Sequence, residues 1–172
     1  MHIIIDGYNL IRQSDSLGRF ESFSLQSGRN ELIRKVSLYK KSRGHRITIV
    51  FDGWASDPLM EERDREGGID IIYSRKGEKA DEVIKRMAKK GEEEVVVVTS
   101  DRNIADSISR NGGVAISSPE FETKLERASE NDVAPSDSDD PDSSISLGTQ
   151  KKGPSRRISK KQRAALKRTK KL

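Results

Sequence analysis

The apolar positions of this chain fall into short runs divided by charged and glycine-containing segments. Ile3-Ile4-Ile5 leads into Asp6-Gly7-Tyr8-Asn9, Ile47-Thr48-Ile49-Val50-Phe51 into Asp52-Gly53, and Val95-Val96-Val97-Val98 into Thr99-Ser100-Asp101. Such β-branched runs, with little polar alternation, read as strands buried on both faces. Ile69-Asp70-Ile71-Ile72-Tyr73 and Val114-Ala115-Ile116 add two more. Between them the spacing turns helical. Leu25, Leu32, Ile33, Val36 and Tyr39 mark a helix over 25–42 ended by Gly44. Ala80, Val83, Ile84, Met87 and Ala88 mark another, ended by Gly91. Ile104, Ala105 and Ile108 follow a capping Asp101, and Phe121, Leu125 and Ala128 follow Ser118-Pro119, with Ser118 as the cap. Residues 11–24 are polar and read as a loop or short irregular helix. Residues 59–68, charged at every position from 61 to 66 and closing with Gly67-Gly68, read as a mobile surface loop. Strands alternating with helices predict a three-layer α/β domain around a parallel sheet of about five strands.

The pattern stops at about Ser129. Residues 129–150, rich in Ser, Asp, Pro and Asn, read as an acidic disordered linker. The expected organisation is one domain over 1–128, this linker, and a basic tail over 151–172. Charge sharpens the division. The net charge is +5, yet residues 1–128 hold 22 Lys+Arg and 22 Asp+Glu, whereas 151–172 hold 11 Lys+Arg and no acid. Lys151, Lys152, Arg156, Arg157, Lys160, Lys161, Arg163, Lys167 and Arg168 come without an aromatic residue. Such a segment suits holding phosphate backbones, not reading bases, and can become a short helix on RNA. The expected partner is RNA or a ribosome, tethered to the front domain; the plainer reading is a solubilising terminal run. The chain has no cysteine, so it has neither disulfides nor thiolate metal sites. No basic leader precedes the short apolar start, and no apolar span approaches the membrane-crossing length. A cytoplasmic protein with no membrane partner is expected.

The chemistry lies at the strand ends. In a parallel sheet, Asp6, Asp52 and Asp101 meet at the carboxyl edge, and Asp81, in the first turn of a helix, points the same way. Clustered carboxylates repel one another and invite a cation; hard oxygen donors suit Mg²⁺ or Mn²⁺. Each acid has a plainer reading as well. Asp6-Gly7 and Asp52-Gly53 can be turn pairs, Asp101 a helix cap, and Asp81 a partner of the helix dipole. Asn9 can orient Asp6, contact phosphate or cap a turn. Thr99 and Ser100 can offer hydroxyls or amides to the site. Arg12, Lys79 and Arg102, with Arg75 and Lys76, border the rim and would attract phosphate. Asp106 lies one turn further from the edge, as a supporting or merely solvated acid. His2 and His45 fall near the wrong ends of strands for a catalytic role.

Taken together, Ile5-Asp6-Gly7-Tyr8-Asn9-Leu10-Ile11, Val50-Phe51-Asp52-Gly53, Lys79-Ala80-Asp81-Glu82 and Val98-Thr99-Ser100-Asp101-Arg102 resemble the successive motifs of the NYN domain family. The nearest subgroup is the bacterial YacP-like proteins, relatives of PIN-domain ribonucleases. The resemblance covers 1–128 and leaves the basic tail outside the family pattern. It implies a PIN-like fold and metal-dependent cleavage of RNA by Asp6, Asp52, Asp81 and Asp101, with Asn9 beside the first. Glu82 or Glu78 could stand in for Asp81. The RNA class (messenger, ribosomal or transfer) and the oligomeric state are not set by these motifs. A non-catalytic RNA-binding module of the same fold is the main rival. A phosphohydrolase using an aspartyl nucleophile fits less well, because Tyr8, not a second acid, lies two residues after Asp6. A dinucleotide enzyme fits worse, since the glycine-rich fingerprint is missing.

Overall fold

The computed structural model describes residues 1–53, 61–90, 94–133 and the single position 169. The chain runs β1 (His2–Asp6), α1 (Gly7–Gln13), α2 (Asp15–Phe23), α3 (Leu25–Arg43), β2 (Arg46–Phe51), β3 (Glu62–Glu66), β4 (Ile69–Tyr73), α4 (Ala80–Lys90), β5 (Val95–Val98), α5 (Arg102–Arg110), β6 (Val114–Ile116) and α6 (Ser118–Val133). The strands form one sheet in the order β3-β4-β2-β1-β5-β6. Every pairing is parallel except β3 with β4.

Alternation along each strand divides the core in two. Ile3, Ile5, Ile49, Phe51, Val96 and Val98 face α1, α3 and α6, meeting Leu10, Leu32, Val36, Phe121 and Leu125. Ile4, Val50, Val95 and Val97 face α4 and α5, meeting Val83, Ile84, Ile104 and Ile108. Because both faces are dry, the strands read as nearly continuous apolar runs. The three-layer α/β architecture is the one the sequence predicts.

Four details sharpen or differ from that reading. Residues 11–24, read as a loop or short irregular helix, take the helical alternative: α1 ends and α2 begins at Ser14, whose hydroxyl accepts from the Leu17 N–H, and Ser24 caps α3 in the same way from Ser27. Serines that read as loop are helix caps. The charged stretch before Gly67-Gly68 contains β3, whose five residues are all exposed, so no apolar alternation announces it. Gly67 and Gly68 both take positive φ (57° and 77°), the two-residue turn that closes an antiparallel hairpin. Among the described residues the sheet therefore has six strands. Third, α6 continues past Ala128 to Val133, beyond the expected start of the linker. Fourth, the hydroxyl that caps α6 belongs to Ser117, accepting from the Glu120 N–H at 3.4 Å, and not to Ser118.

Residues 54–60, which hold most of the expected turn and the start of the expected surface loop, residues 91–93, the linker beyond Val133 and nearly all of the basic tail lie outside the described residues. The carbonyl of Thr169 accepts from Lys124 Nζ at 3.3 Å, so that tail position lies against α6. Among the described residues, no helix is long and apolar enough to cross a membrane.

Candidate active site

From β1 the chain crosses towards β2, and from β5 towards β6. The carboxyl ends of β1 and β5 thus flank the switch point, where open α/β sheets bind ligands. Alternation also fixes the face. Asp6 follows Ile5, Asp52 follows Phe51, and Thr99 follows Val98, so all three point to the α4/α5 side.

Asp6 is 8% exposed. Its Oδ1 accepts from the Asn9 N–H at 3.2 Å, and its Oδ2 from the Thr99 hydroxyl at 3.3 Å. The Thr99 oxygen also accepts from the Asp101 N–H at 3.1 Å, so one side chain links the two acidic segments. Burial pushes Asp6 up from 3.8 to about 6; repulsion from Asp81 and Asp52 adds to this, and the Asn9 and Thr99 bonds oppose it. Asp52 Oδ1 accepts from the Ala80 N–H at 2.6 Å, which joins the end of β2 to the start of α4. Asp101 caps α5, its Oδ1 accepting from Asn103 at 2.7 Å and Ile104 at 3.4 Å. Asp81 is raised by burial and by Asp101 and Asp52, and lowered by Lys85 and Lys79; Lys85 Nζ stands 3.8 Å from its carboxylate.

The four acids therefore gather at one rim and interact there. The plainer readings hold alongside, since Asp6 and Asp101 cap helices and Asp52 anchors another. Those bonds turn the carboxylates towards backbone N–H groups. Among the described residues, no group of three Asp, Glu or His side chains converges closely enough to hold a metal ion. The donor types still fit a hard divalent cation: burial and mutual repulsion hold Asp6 and Asp81 above their ordinary range. Of the stand-ins for Asp81, Glu78 is committed to Arg75 at 3.1 Å and to Arg86, and Glu82 is exposed. Asp81 is the acid that faces the cluster.

Asn9 has a fixed task. Its Oδ1 accepts from the Ser100 N–H and the Ser118 hydroxyl, both at 2.8 Å, joining α1, the β5–α5 turn and α6. Ser100 Oγ accepts from the Ser118 N–H at 3.2 Å. Ser118, fully buried, is thus a supporting residue that no sequence signal near the acids reveals. Asn9→Ala leaves the Ser100 amide and the Ser118 hydroxyl without this acceptor. It is expected to cost about 2–3 kcal/mol, read by chemical denaturation; an unchanged midpoint would contradict this role.

The glycines of both Asp-Gly pairs are set by packing. A Cβ on Gly7 would collide with the Phe51 ring, and one on Gly53 with the Ser74 carbonyl oxygen. Ser74 Oγ accepts from the Gly53 N–H at 3.0 Å, fixing the turn that carries Asp52. Around the rim, Lys79 and Arg102 are exposed, and Arg12 is held 3.6 Å from Glu21 and over the Tyr8 ring. Asp106 is exposed on α5, away from the bonded cluster. His2 Nε2 bonds the Thr48 hydroxyl at 2.8 Å, far from the acids.

The sequence profile of the family described as the YacP-like NYN domain matches residues 3–171. This span includes the basic tail, so the tail is not outside the family pattern. The uncharacterized protein YacP of Bacillus subtilis is 30% identical over 86 residues, which is 50% of this chain and 50% of that protein. The match thus spans about half the length of that curated relative. A crystal structure of Rae1 (YacP) from Bacillus subtilis superposes with a TM-score of 0.64 at 25% identity, covering 76% of each chain. A tryptophan-to-leucine mutant of that protein gives 0.63 at 25% identity, over 76% of this chain and 77% of that one. Motifs, sheet order and a profile match over almost the entire length agree: the chain belongs to the YacP-like NYN domain family, and its fold is the PIN-like one.

Proposed function

We propose that this protein is a metal-dependent endoribonuclease that hydrolyses RNA phosphodiester bonds at the Asp6–Asp52–Asp81–Asp101 rim. The observation that carries this reading is the charge imbalance there. Asp6 is buried with its oxygens bonded to the Asn9 N–H and the Thr99 hydroxyl, and Asp81 and Asp52 repel its charge. Mg²⁺ or Mn²⁺ held by the four acids would relieve that repulsion, activate water and neutralise charge on the phosphate. The chain's own residues set the proton chemistry. Burial raises the Asp6 carboxyl to about 6 in the metal-free chain, and a bound cation would hold it ionised. The Asn9 amide and Thr99 hydroxyl hold its two oxygens in place. Lys79 and Arg102 would draw the RNA strand to the rim, and the basic tail, Lys151 to Arg168, would keep RNA or a ribosome nearby in the cytoplasm.

A non-catalytic RNA-binding module is the second reading, favoured by the lack of three converging acids among the described residues. Incubation with labelled RNA and DNA, in Mn²⁺ and in EDTA, separates the two. Internal cleavage of RNA that needs the metal is the expected result. RNA binding without EDTA-sensitive cleavage, on free RNA and on ribosome-bound message alike, would favour the binding module.

A further inference from the structure

On the other face of the same sheet edge lies a cation that the acids do not explain. α3 ends two residues before β2 begins, so its opening turns stand at the carboxyl edge of the sheet. Arg29, in the second turn, is half-buried there. Its guanidinium carbon is 5.3 Å from the Tyr8 ring centroid, 5.5 Å from Phe51 and 5.2 Å from Tyr73. These rings belong to the site's own segments. Tyr8 is two residues past Asp6, Phe51 immediately precedes Asp52, and Tyr73 is the β4 partner of Phe51. Tyr8 and Phe51 meet edge to face at 5.2 Å, and Phe51 and Tyr73 stack at 5.7 Å.

The hydrogen bonds leave part of the guanidinium open. Arg29 Nε donates to the Tyr8 hydroxyl at 2.8 Å, Nη2 donates to the same oxygen, and Nη1 reaches Gln26 Oε1 at 3.4 Å. An arginine has five N–H donors in a planar fork, so two remain unused by these bonds. No carboxylate pairs with Arg29 among the described residues' ion pairs. Arg29 is oriented by three rings and the Tyr8 hydroxyl, with no carboxylate of the described residues in ion-pair contact. Such a group is preorganised for an external anion.

We propose that Arg29, held on Tyr8, Phe51 and Tyr73, is a phosphate anchor for the RNA strand lying across the carboxylate rim. The anchor rests on the reading of the rim as an RNA site. It would grip a phosphate beside the one being cleaved, on the α3 side, while the acids act from the α4/α5 side. Arg29 is a positioning residue and takes no part in proton transfer.

The test uses the full-length chain in EDTA and a labelled, unstructured oligoribonucleotide, with affinity measured across a KCl series. Arg29→Gln is expected to weaken binding roughly three- to tenfold at low salt and to flatten the log–log salt dependence by about 0.7, the value of one single-strand phosphate contact. Arg29→Lys, which keeps the charge, is expected to preserve the slope. Equal affinity and slope for wild type and Arg29→Gln, with only the unfolding temperature moved, would overturn the anchor. Loss of the slope in Arg29→Lys would overturn it too, and that variant decides the matter if Arg29→Gln does not fold. Cleavage of the same oligonucleotide by the wild type in Mn²⁺ is scored separately. An Arg29 effect without cleavage removes the nuclease and leaves the anchor; cleavage without an Arg29 effect does the reverse.

Discussion

Asp6→Asn is expected to remove RNA cleavage and, in metal-free buffer, to make the protein harder to unfold above pH 6. The activity loss should be roughly 10²–10³-fold or more, the scale seen when one preorganised electrostatic group is deleted from a site. The stability gain follows from burial. A carboxyl moved from 3.8 to about 6 is costlier to ionise in the folded chain than in the unfolded one, by about 3 kcal/mol. With the folded value raised, the protonated group's contribution is fully present below pH 3.8 and is lost as pH climbs through about 6. Asparagine keeps the shape and the Asn9 bond but never ionises. The gap in unfolding temperature between variant and wild type should be small near pH 4. It should open to about 5–10 °C above pH 7. A gap independent of pH would mean that Asp6 is not the raised acid. Divalent metal should narrow the gap by stabilising the wild type alone, with about 2.7 kcal/mol expected at a hundredfold excess over Kd.

Phe51→Ala carries the second large effect, on the fold. The Phe51 ring is fully buried, packed under Gly7 and against Tyr8 and Tyr73, with the Arg29 guanidinium above it. Emptying that space is expected to cost about 3–5 kcal/mol. Urea denaturation reads this directly as a lower midpoint at unchanged slope. A cost under about 1 kcal/mol would show that the rings collapse into the gap and that the two Asp-Gly turns do not depend on this ring. A milder loss is expected for Phe51→Leu, which keeps most of the volume.

Much of this architecture can be read from the chain because burial on both faces writes itself as apolar runs. Ile3 to Ile5, Ile47 to Phe51 and Val95 to Val98 show it, and each ends at an acid or just before one. The gathering of Asp6, Asp52 and Asp101 follows from parallel strands in the order β2-β1-β5, and that of Asp81 from its place in the first turn of α4. What escaped the pattern was structure made without apolar periodicity. β3 is exposed at every position, and only Gly67-Gly68 hinted at the hairpin. α2 fully buries only Leu17 among its hydrophobic side chains, so its stretch read no further than a loop or short irregular helix. Partners distant in sequence were also hidden. The bonds from Asn9 to Ser100 and Ser118, and the stacking of Arg29 on three rings, arise from tertiary placement that spacing does not encode.

The hairpin strand bears on self-association. β3 reads Glu62-Arg63-Asp64-Arg65-Glu66, a charge palindrome, and among the described residues its outer edge has no strand neighbour in the sheet. Were two copies to join their sheets edge to edge across a two-fold axis normal to the sheet and centred on Asp64, Glu62 would face Glu66, Arg63 would face Arg65, and Asp64 would face itself. Every rung would set like charge against like, which is destabilising across strands. At the other end, β6 offers only the three residues Val114–Ile116 as a template. The order of five charged side chains thus guards an open sheet against growing into a ribbon of its own copies.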